Sequence, residues 1–409
     1  MSTAAVRDSL ASLEELRRIH AAAATVVRRT PVFSLRGLAE RCGGEVAVKA
    51  ENLQRTGSFK LRGAWSKLAG LGADTRGVVA GSAGNHAQAL AYAARARGIP
   101  CKVYMPAAAA ISKVAAVRAY GAEVEQGGES VDECVEWARV HAAEHECVFV
   151  HPYDDEAIVR GQAGLGLELL DDVPDLAHVI VPVGGGGLIA GVAMAIKLAR
   201  PEVRITGVQA AACAPLVAAL RGPEGARAAS VATIADGIAI KRPGRLTTSL
   251  IERWVDDLAV VEEDDIADAM VMLLERGKLL AEGAGAVATA ALCTGAVAPA
   301  QRGVTVAVVS GGNVDGKVVA EVITRSETRV GRRLRLRTRV LDRPGGLAGL
   351  LETVAAAGAN VIELAHVRDD ASLPLAQTGV ELLLELRGRD HADALAQRLG
   401  AAGYPALPA

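Results

Sequence analysis

The chain has 409 residues, enough for two or three domains around a large buried core. A formal net charge of −2 removes electrostatic attraction to nucleic acid or an anionic membrane as an organising theme, and 3% aromatic residues leave little for base-stacking platforms. Apolar residues make up 51% of the chain, much of it Ala and Val alongside 44 glycines, which suits helices packed closely on a Val/Ile-rich sheet.

Strand-like and helix-like runs alternate over roughly the first 330 residues, the signature of parallel sheets with crossover helices. "VAVKAENL" (46–53) reads as a strand and "SFKLRGAWSKLAG" (58–70) as a helix. "GVVAGS" (77–82) is a strand, and "NHAQALAYAARARG" (85–98) a helix closed by Gly98 and Pro100. "CKVYMP" (101–106) is the next strand, before a helix through Tyr120 and the strand "AEVEQ" (122–126). "HVIVPV" (178–183) is a buried strand and "LIAGVAMAIKLARP" (188–201) a helix; "RITGVQA" and "VTVAVVS" are further strands. Two uncharged runs, Val179–Ile196 and Gly283–Gln301, are interrupted by Pro182 and glycines or built of small residues, so neither reads as a membrane span. Six cysteines (Cys42, Cys101, Cys134, Cys147, Cys213, Cys293) lie far apart with no C-x-x-C pair. With no basic-then-apolar leader, they read as reduced thiols of a cytoplasmic protein.

After about Arg325 the texture changes. "RRLRLRTRVLD" (332–342) alternates with period two, and "RPGGLAGLLETVAAAG" is a turn and helix. "ANVIELAHVR" and "GVELLLELRG" are strands, "DHADALAQRLGAAG" a helix, and "YPALPA" a short last strand. That order is a split βαβ, ferredoxin-like unit. With "LDRPGGLAGLL" running from strand through a Pro-Gly-Gly turn into a helix, it resembles an ACT domain, a small-molecule sensing module.

Four stretches carry chemistry. Lys60 in "RTGSFKLRGA" opens a helix behind Phe59 and by itself reads as a surface lysine. "VPVGGGGLIAG" (181–191) sets four glycines, Gly184 to Gly187, between a buried strand and a helix. Backbone without Cβ atoms folds closely round an anion, and the helix end adds its positive pole, so a phosphate is the expected ligand. No Gly-Lys-Ser/Thr ends the run, nor does G-x-G-x-x-G appear, which favours a monophosphate over a dinucleotide. "AGSAGNHAQALA" (80–91) presents Ser82, Ala83, Gly84, Asn85 and His86 at a helix start, a cradle for a carboxylate or a helix cap. His86 reads as structural rather than as a general base. "VVSGGNVDG" (308–316) places the Ser310 hydroxyl at the carboxyl end of a strand, where ligands of open α/β sheets bind.

In combination and order, these stretches resemble fold-type II pyridoxal-phosphate enzymes, within them the threonine dehydratase and serine racemase group. The resemblance runs from "RRTPVF" (28–33) to about residue 325 and is most specific over "KAENLQRTGSFKLRGA" (49–64). It implies an α/β fold of two open parallel-sheet subdomains within 1–328, the smaller (about 50–150) inserted in the larger, followed by the ferredoxin-like α+β (ACT) domain at 332–409. Lys60 would form the Schiff base with pyridoxal 5'-phosphate, Phe59 would pack on its ring, and Gly184 to Gly187 with Leu188 would hold its phosphate. Asn85 would bond the ring hydroxyl and Ser310 the pyridine nitrogen; Glu282 in "LLAEGAGA" matches a family acid near the cofactor. Ser82, Ala83, Gly84, Asn85 and His86 would bind the substrate carboxylate.

The implied activity is deamination of L-threonine to 2-oxobutanoate and ammonia by β-elimination of water, with L-serine as a side substrate, in isoleucine biosynthesis or threonine catabolism. Alternatives are an L-serine or 3-hydroxyaspartate dehydratase, and an amino-acid sensor with a degenerate front domain. Racemases of the group carry a second serine where this chain has Ala83, so two-base racemisation is not expected. Members that bind a divalent cation use acidic residues where Gln209 and Pro215 stand, so no metal site is expected. Family analogy places a branched-chain amino-acid effector on Asp342, Gly345, Leu347 and Asn360, and implies a homo-oligomer, dimer or tetramer.

Overall fold

The computed structural model describes residues 10–221, 233–368 and 373–405. They form two compact units that divide between Asp315 and Gly316. The helix α1 (Leu13–Ala23) opens the first unit with Ser12 as its N-cap, the hydroxyl accepting from the Glu15 N–H. Then come β1 (Val32–Ser34), α2 (Arg36–Cys42), β2 (Val46–Ala50) and α3 (Lys60–Ala69). A compact stretch supplies β3 (Val78–Gly81), α4 (Asn85–Arg97), β4 (Cys101–Met105), α5 (Ile111–Ala119), β5 (Glu123–Gln126), α6 (Val131–Glu144) and β6 (Val148–Phe149). The chain returns through α7 (Glu156–Asp172), β7 (Leu176–Pro182), α8 (Gly187–Ala199), β8 (Arg204–Ala210) and α9 (Pro215–Arg221). It closes with α10 (Arg245–Trp254), β9 (Asp257–Val261), α11 (Glu263–Met272), α12 (Gly283–Thr294) and β10 (Val304–Val309).

Two sheets result. The larger has the order β1-β2-β10-β7-β8-β9 and is parallel except for β1. The smaller, β5-β4-β3-β6, is parallel throughout. Strands β2, β3 and β10 are almost wholly buried, as strands covered by helices on both faces must be. Each sheet has its own apolar core. One is built on Val179, Val181, Ile189, Ile205 and Val306; the other on Val78, Ala80, Leu61, Leu90 and Val103.

Two sequence expectations shift at the element next to Lys60. The strand from Val46 ends at Ala50, and Glu51–Leu53 forms a tight 3₁₀ turn, because the Glu51 carboxylate turns inward to the Arg62 guanidinium. The helix expected from Ser58 begins at Lys60, because Ser58 bridges Gly311 and the Phe59 N–H donates to the Ser310 carbonyl (3.1 Å). Beneath α3 lies a buried ionic cluster. Arg62 makes paired hydrogen bonds of 2.7–2.8 Å to Glu51 and Glu168, and Lys49 donates to Glu168 at 2.6 Å and to the Thr30 carbonyl at 2.7 Å.

The second unit begins with α13 (Gly316–Arg329). Next come β11 (Arg333–Leu341), α14 (Gly346–Ala356), β12 (Asn360–Val367), β13 (Gln377–Glu385) and α15 (Arg389–Ala401). Its sheet is antiparallel in the order β11-β13-β12. The period-two pattern is used as expected: Leu336, Val340, Val380, Leu382 and Leu384 pack against Leu350, Val354, Leu395 and Leu399 of the helices, while the alternate β11 positions carry arginines. Of the expected last strand, Tyr404 and Pro405 are not in a strand, although the Pro405 carbonyl accepts from Thr338 beside β11 (2.8 Å); residues 406–409 lie outside the described residues. The unit is an ACT-like α+β module.

Candidate active site

Lys60 is the first residue of α3, reached from the carboxyl end of β2. Its amine donates to the Pro152 carbonyl (3.0 Å) and lies 5.2 Å from the centre of the Phe59 ring. Burial lowers its pKa to about 8, against the partial counter-pull of the Glu282 carboxylate. A lysine poised there is a nucleophile or base near neutral pH, unlike a solvated one.

The tetraglycine turn leaves β7 and enters α8, with Gly186 at φ +89° as the N-cap. A β-carbon on Gly185 would lie 2.3 Å from the Tyr153 ring, and one on Gly186 would lie 2.9 Å from Thr247. Side chains therefore wall the outside of the turn, and Thr247 holds it by donating its hydroxyl to the Gly185 carbonyl (2.7 Å). The first N–H groups of α8, those of Gly187 and Leu188 among them, have no intrahelical acceptor and suit an anion.

At the carboxyl end of β3, the Ser82 hydroxyl accepts from the Gly84 N–H (3.3 Å), a local bond before the helix and not the helix cap for which either Ser82 or Asn85 is a candidate. Gly84 is the N-cap of α4 and offers no side chain, so the N–H groups of Asn85 and His86 stay uncapped beside half-buried Ala83. The His86 imidazole points elsewhere: it bonds the Val150 carbonyl (2.9 Å), and burial with the nearby Lys60 charge pushes its pKa to about 3. It is a neutral structural donor, as its sequence context indicated.

Asn85 instead joins a polar chain with two groups from the large subdomain. Its amide nitrogen donates to Glu282 (2.6 Å), and its amide oxygen accepts from Asn313 (2.7 Å). Burial, with the Asp236 charge beside it, raises the Glu282 carboxyl to about 7. Ser310, buried at the end of β10, donates weakly to the Ala284 carbonyl (3.3 Å). Lys60, Phe59, the glycine turn, Asn85 and Ser310 thus lie at strand ends or the helix starts that follow them, and Glu282 at the N-cap of α12.

Sequence reasoning missed the residues that frame this site. Tyr153 covers the glycine turn. Asp154 accepts from the Arg245 and Thr247 N–H groups at the start of α10 (3.1 and 3.2 Å), and Asp155 caps α7 and pairs with Lys67 (2.6 Å). All three belong to "HPYDD" (151–155), a polar run directly after β6, and that position was its only signal. Gln209, at the position where metal-binding relatives carry an acid, donates to the Val183 carbonyl and accepts from the Leu216 and Val217 N–H groups. Among the described residues no cluster of His, Cys, Asp and Glu is arranged for a metal ion.

In the second unit Asp342 and Gly345 share the turn before α14, with Asp342 paired to Arg368 (2.9 Å) and Leu347 packed on the core. Asn360 does not join them within one chain. It aligns with Glu385, whereas Leu341, next to Asp342, aligns with Gln377 at the opposite end of β13.

A buried amine, a glycine turn opening a helix and a set of amide and hydroxyl donors suit a small phosphate ester bearing an aldehyde. One observation supports the fit directly: the Ser58 hydroxyl, two residues before Lys60, is buried without a hydrogen-bond partner. The family described as pyridoxal-phosphate dependent enzyme matches residues 23–311, and the chain belongs to that family, in its fold-type II serine and threonine dehydratase group. The L-threonine ammonia-lyase of Thermotoga maritima is 42% identical over 395 residues, 96% of this chain and 98% of its own. Its namesake from Geobacter sulfurreducens is 43% identical over 380 residues, 92% and 94% of the two chains. The structure of maize serine racemase superposes with a TM-score of 0.70 at 34% identity, covering 78% of this chain and 99% of that one.

Proposed function

We propose that this chain deaminates L-threonine to 2-oxobutanoate and ammonia, and L-serine to pyruvate more slowly. The observation that carries the reading is Lys60, an amine brought to about pKa 8 where the strand ends of both sheets meet. The substrate follows from two L-threonine ammonia-lyases that align along nearly the whole chain.

Pyridoxal phosphate, when bound, supplies the electron sink that makes an amino acid's α-proton removable. Lys60 would hold it through Nζ, the turn at Gly184 to Gly187 with Leu188 would hold its phosphate, and Phe59, Asn85 and Ser310 would contact its ring. The backbone N–H groups at the start of α4 bind and orient the substrate carboxylate. Freed from the cofactor, Lys60 Nζ would be the base for the α-proton, since a pKa of about 8 leaves a usable fraction of the amine neutral at physiological pH. Ala83 offers no base from its side chain, so a proton is not returned from that side and elimination prevails over racemisation. Ser310 presents a neutral hydroxyl where an aspartate would stabilise a protonated ring nitrogen, which disfavours transamination.

The second unit is the regulatory part, with the Asp342–Leu347 turn as one wall of a branched-chain amino-acid site. Asn360 of the same chain stands too far along the sheet to complete it. Among the described residues no helix is long and apolar enough to cross a membrane and all six cysteines are free, in keeping with a cytoplasmic enzyme.

The test is a visible spectrum of the purified protein before and after borohydride, followed by oxo-acid release from L-threonine and from L-serine. A cofactor trapped on Lys60 and faster 2-oxobutanoate release are expected. Absence of a trapped chromophore overturns the assignment, and faster pyruvate release reverses the substrate order.

A further inference from the structure

We infer that Asn313 is a positioning residue: it holds the Asn85 amide in the one orientation that leaves an N–H, rather than the carbonyl, for the cofactor's ring oxygen. This rests on the cofactor reading above and extends it to a residue outside the expected site.

Asn313 follows the Ser310-Gly311-Gly312 turn after β10. Its amide nitrogen donates twice, to the Thr56 carbonyl (2.8 Å) and to the Asn85 amide oxygen (2.7 Å). A backbone carbonyl only accepts, so Thr56 decides which end of the Asn313 amide faces it. That decision passes on: with its oxygen taken by Asn313, Asn85 must turn its nitrogen to Glu282 (2.6 Å). Asn85 then has a second N–H to give, and it stabilises the charged form of a phenolate-like oxygen.

The backbone has been cleared for this contact. A β-carbon on Gly57 would lie 2.3 Å from the Asn313 amide oxygen, and Gly57 has φ +72°, which glycine adopts without strain. The Gly57 carbonyl also accepts from the Gly312 N–H (2.9 Å), which ties the loop before Lys60 to the same turn. A β-carbon on Gly311 would meet the Glu282 carboxylate at 2.2 Å, so the far end of the chain is cleared as well. Asn313 therefore couples three segments: the approach to Lys60, the start of α4, and the end of β10.

The experiment compares the wild-type holoenzyme with Asn313→Ala, Asn313→Asp, Asn85→Ala and the Asn85→Ala/Asn313→Ala double variant. The readout is the ratio of the cofactor's long-wavelength to short-wavelength absorption bands, with borohydride trapping as the measure of cofactor content. A carboxylate in place of the Asn313 amide cannot donate, so in Asn313→Asp the Asn85 amide must give its N–H to that carboxylate and present its oxygen elsewhere. Each single variant is expected to retain trapped cofactor and to lower the band ratio roughly fivefold, the change in an equilibrium that one amide hydrogen bond commands. The double variant should match Asn85→Ala alone, since Asn313 acts through Asn85.

An unchanged ratio in both Asn313 variants overturns the inference, as does a further fall in the double variant, which a merely structural role would give. If Asn313→Ala does not fold, Asn313→Asp, of the same shape, decides by the same ratio. A wild-type protein without any cofactor band overturns the cofactor reading and this inference together, so the two failures are distinct.

Discussion

Replacing Arg62 with methionine tests how α3, and with it Lys60, is held. The guanidinium makes four hydrogen bonds of 2.7–2.8 Å to Glu51 and Glu168, and all three side chains are buried. Methionine fills most of the volume but leaves Glu51 with only Thr30, while Glu168 keeps Lys49. Breaking a buried ion pair from one side costs about 3–5 kcal/mol, because the stranded carboxylate stays desolvated. At about 2 °C per kcal/mol for a unit of this size, the melting temperature should fall by about 8 °C at neutral pH.

The pH dependence separates this cause from lost packing. Burial raises the Glu51 pKa, but the charge and hydrogen bonds of Arg62, with Lys49, outweigh it and hold the carboxyl below its ordinary value. A lowered folded-state pKa contributes stability above the unfolded value and loses it as pH falls through the folded one. In the variant the shift reverses and Glu51 takes up a proton more readily than the unfolded chain does, so the gap to wild type should narrow as pH falls towards the ordinary carboxylate range. Adding Glu51→Gln to the variant should recover about 1–2 kcal/mol, since a neutral amide tolerates burial better than a stranded charge. Calorimetric melts of the purified variants at several pH values measure all three quantities. A variant within about 2 °C of wild type, or a gap constant with pH, would refute the reasoning.

Lys60→Ala should abolish borohydride-trappable cofactor and reduce threonine deamination by at least about 10³-fold, measured by oxo-acid release. Because the free amine sits at about 8, cofactor loading of apoprotein should speed up about tenfold per pH unit below that value and level off above it, whereas an unperturbed lysine would keep rising. Gly185→Ala places a methyl 2.3 Å from the Tyr153 ring and should cost about 1–3 kcal/mol together with cofactor affinity, read by melting and by equilibrium dialysis. Ser310→Asp should raise the share of transamination relative to elimination, seen as loss of trapped cofactor during turnover with L-threonine; an unchanged partition would remove Ser310 from that role.

Local patterns were sufficient for much of this protein. A strand is legible when its residues are mostly apolar and a glycine run follows, as at "HVIVPV", and a glycine run between strand and helix leaves backbone N–H groups suited to an anion. The alternation in "RRLRLRTRVLD" assigned one face of β11 to the core, because a strand's side chains alternate whatever lies beyond it. These are properties of a few neighbouring residues, so the sequence alone determined the layered α/β plan and the ferredoxin-like module, whereas Lys60 and the glycine turn stand out as a candidate centre only through the order of the motifs along the chain and the family resemblance it carries. Contacts between residues remote in the chain carry no such period. Nothing near Arg62 announces Glu168, nothing near Asn85 announces Asn313 or Glu282, and Asn360 and Asp342 look like partners until β13 sets them at its two ends. Only the tertiary structure decided those, because burial sets Lys60 near 8 and Glu282 near 7, and burial exists only once distant segments close around a side chain.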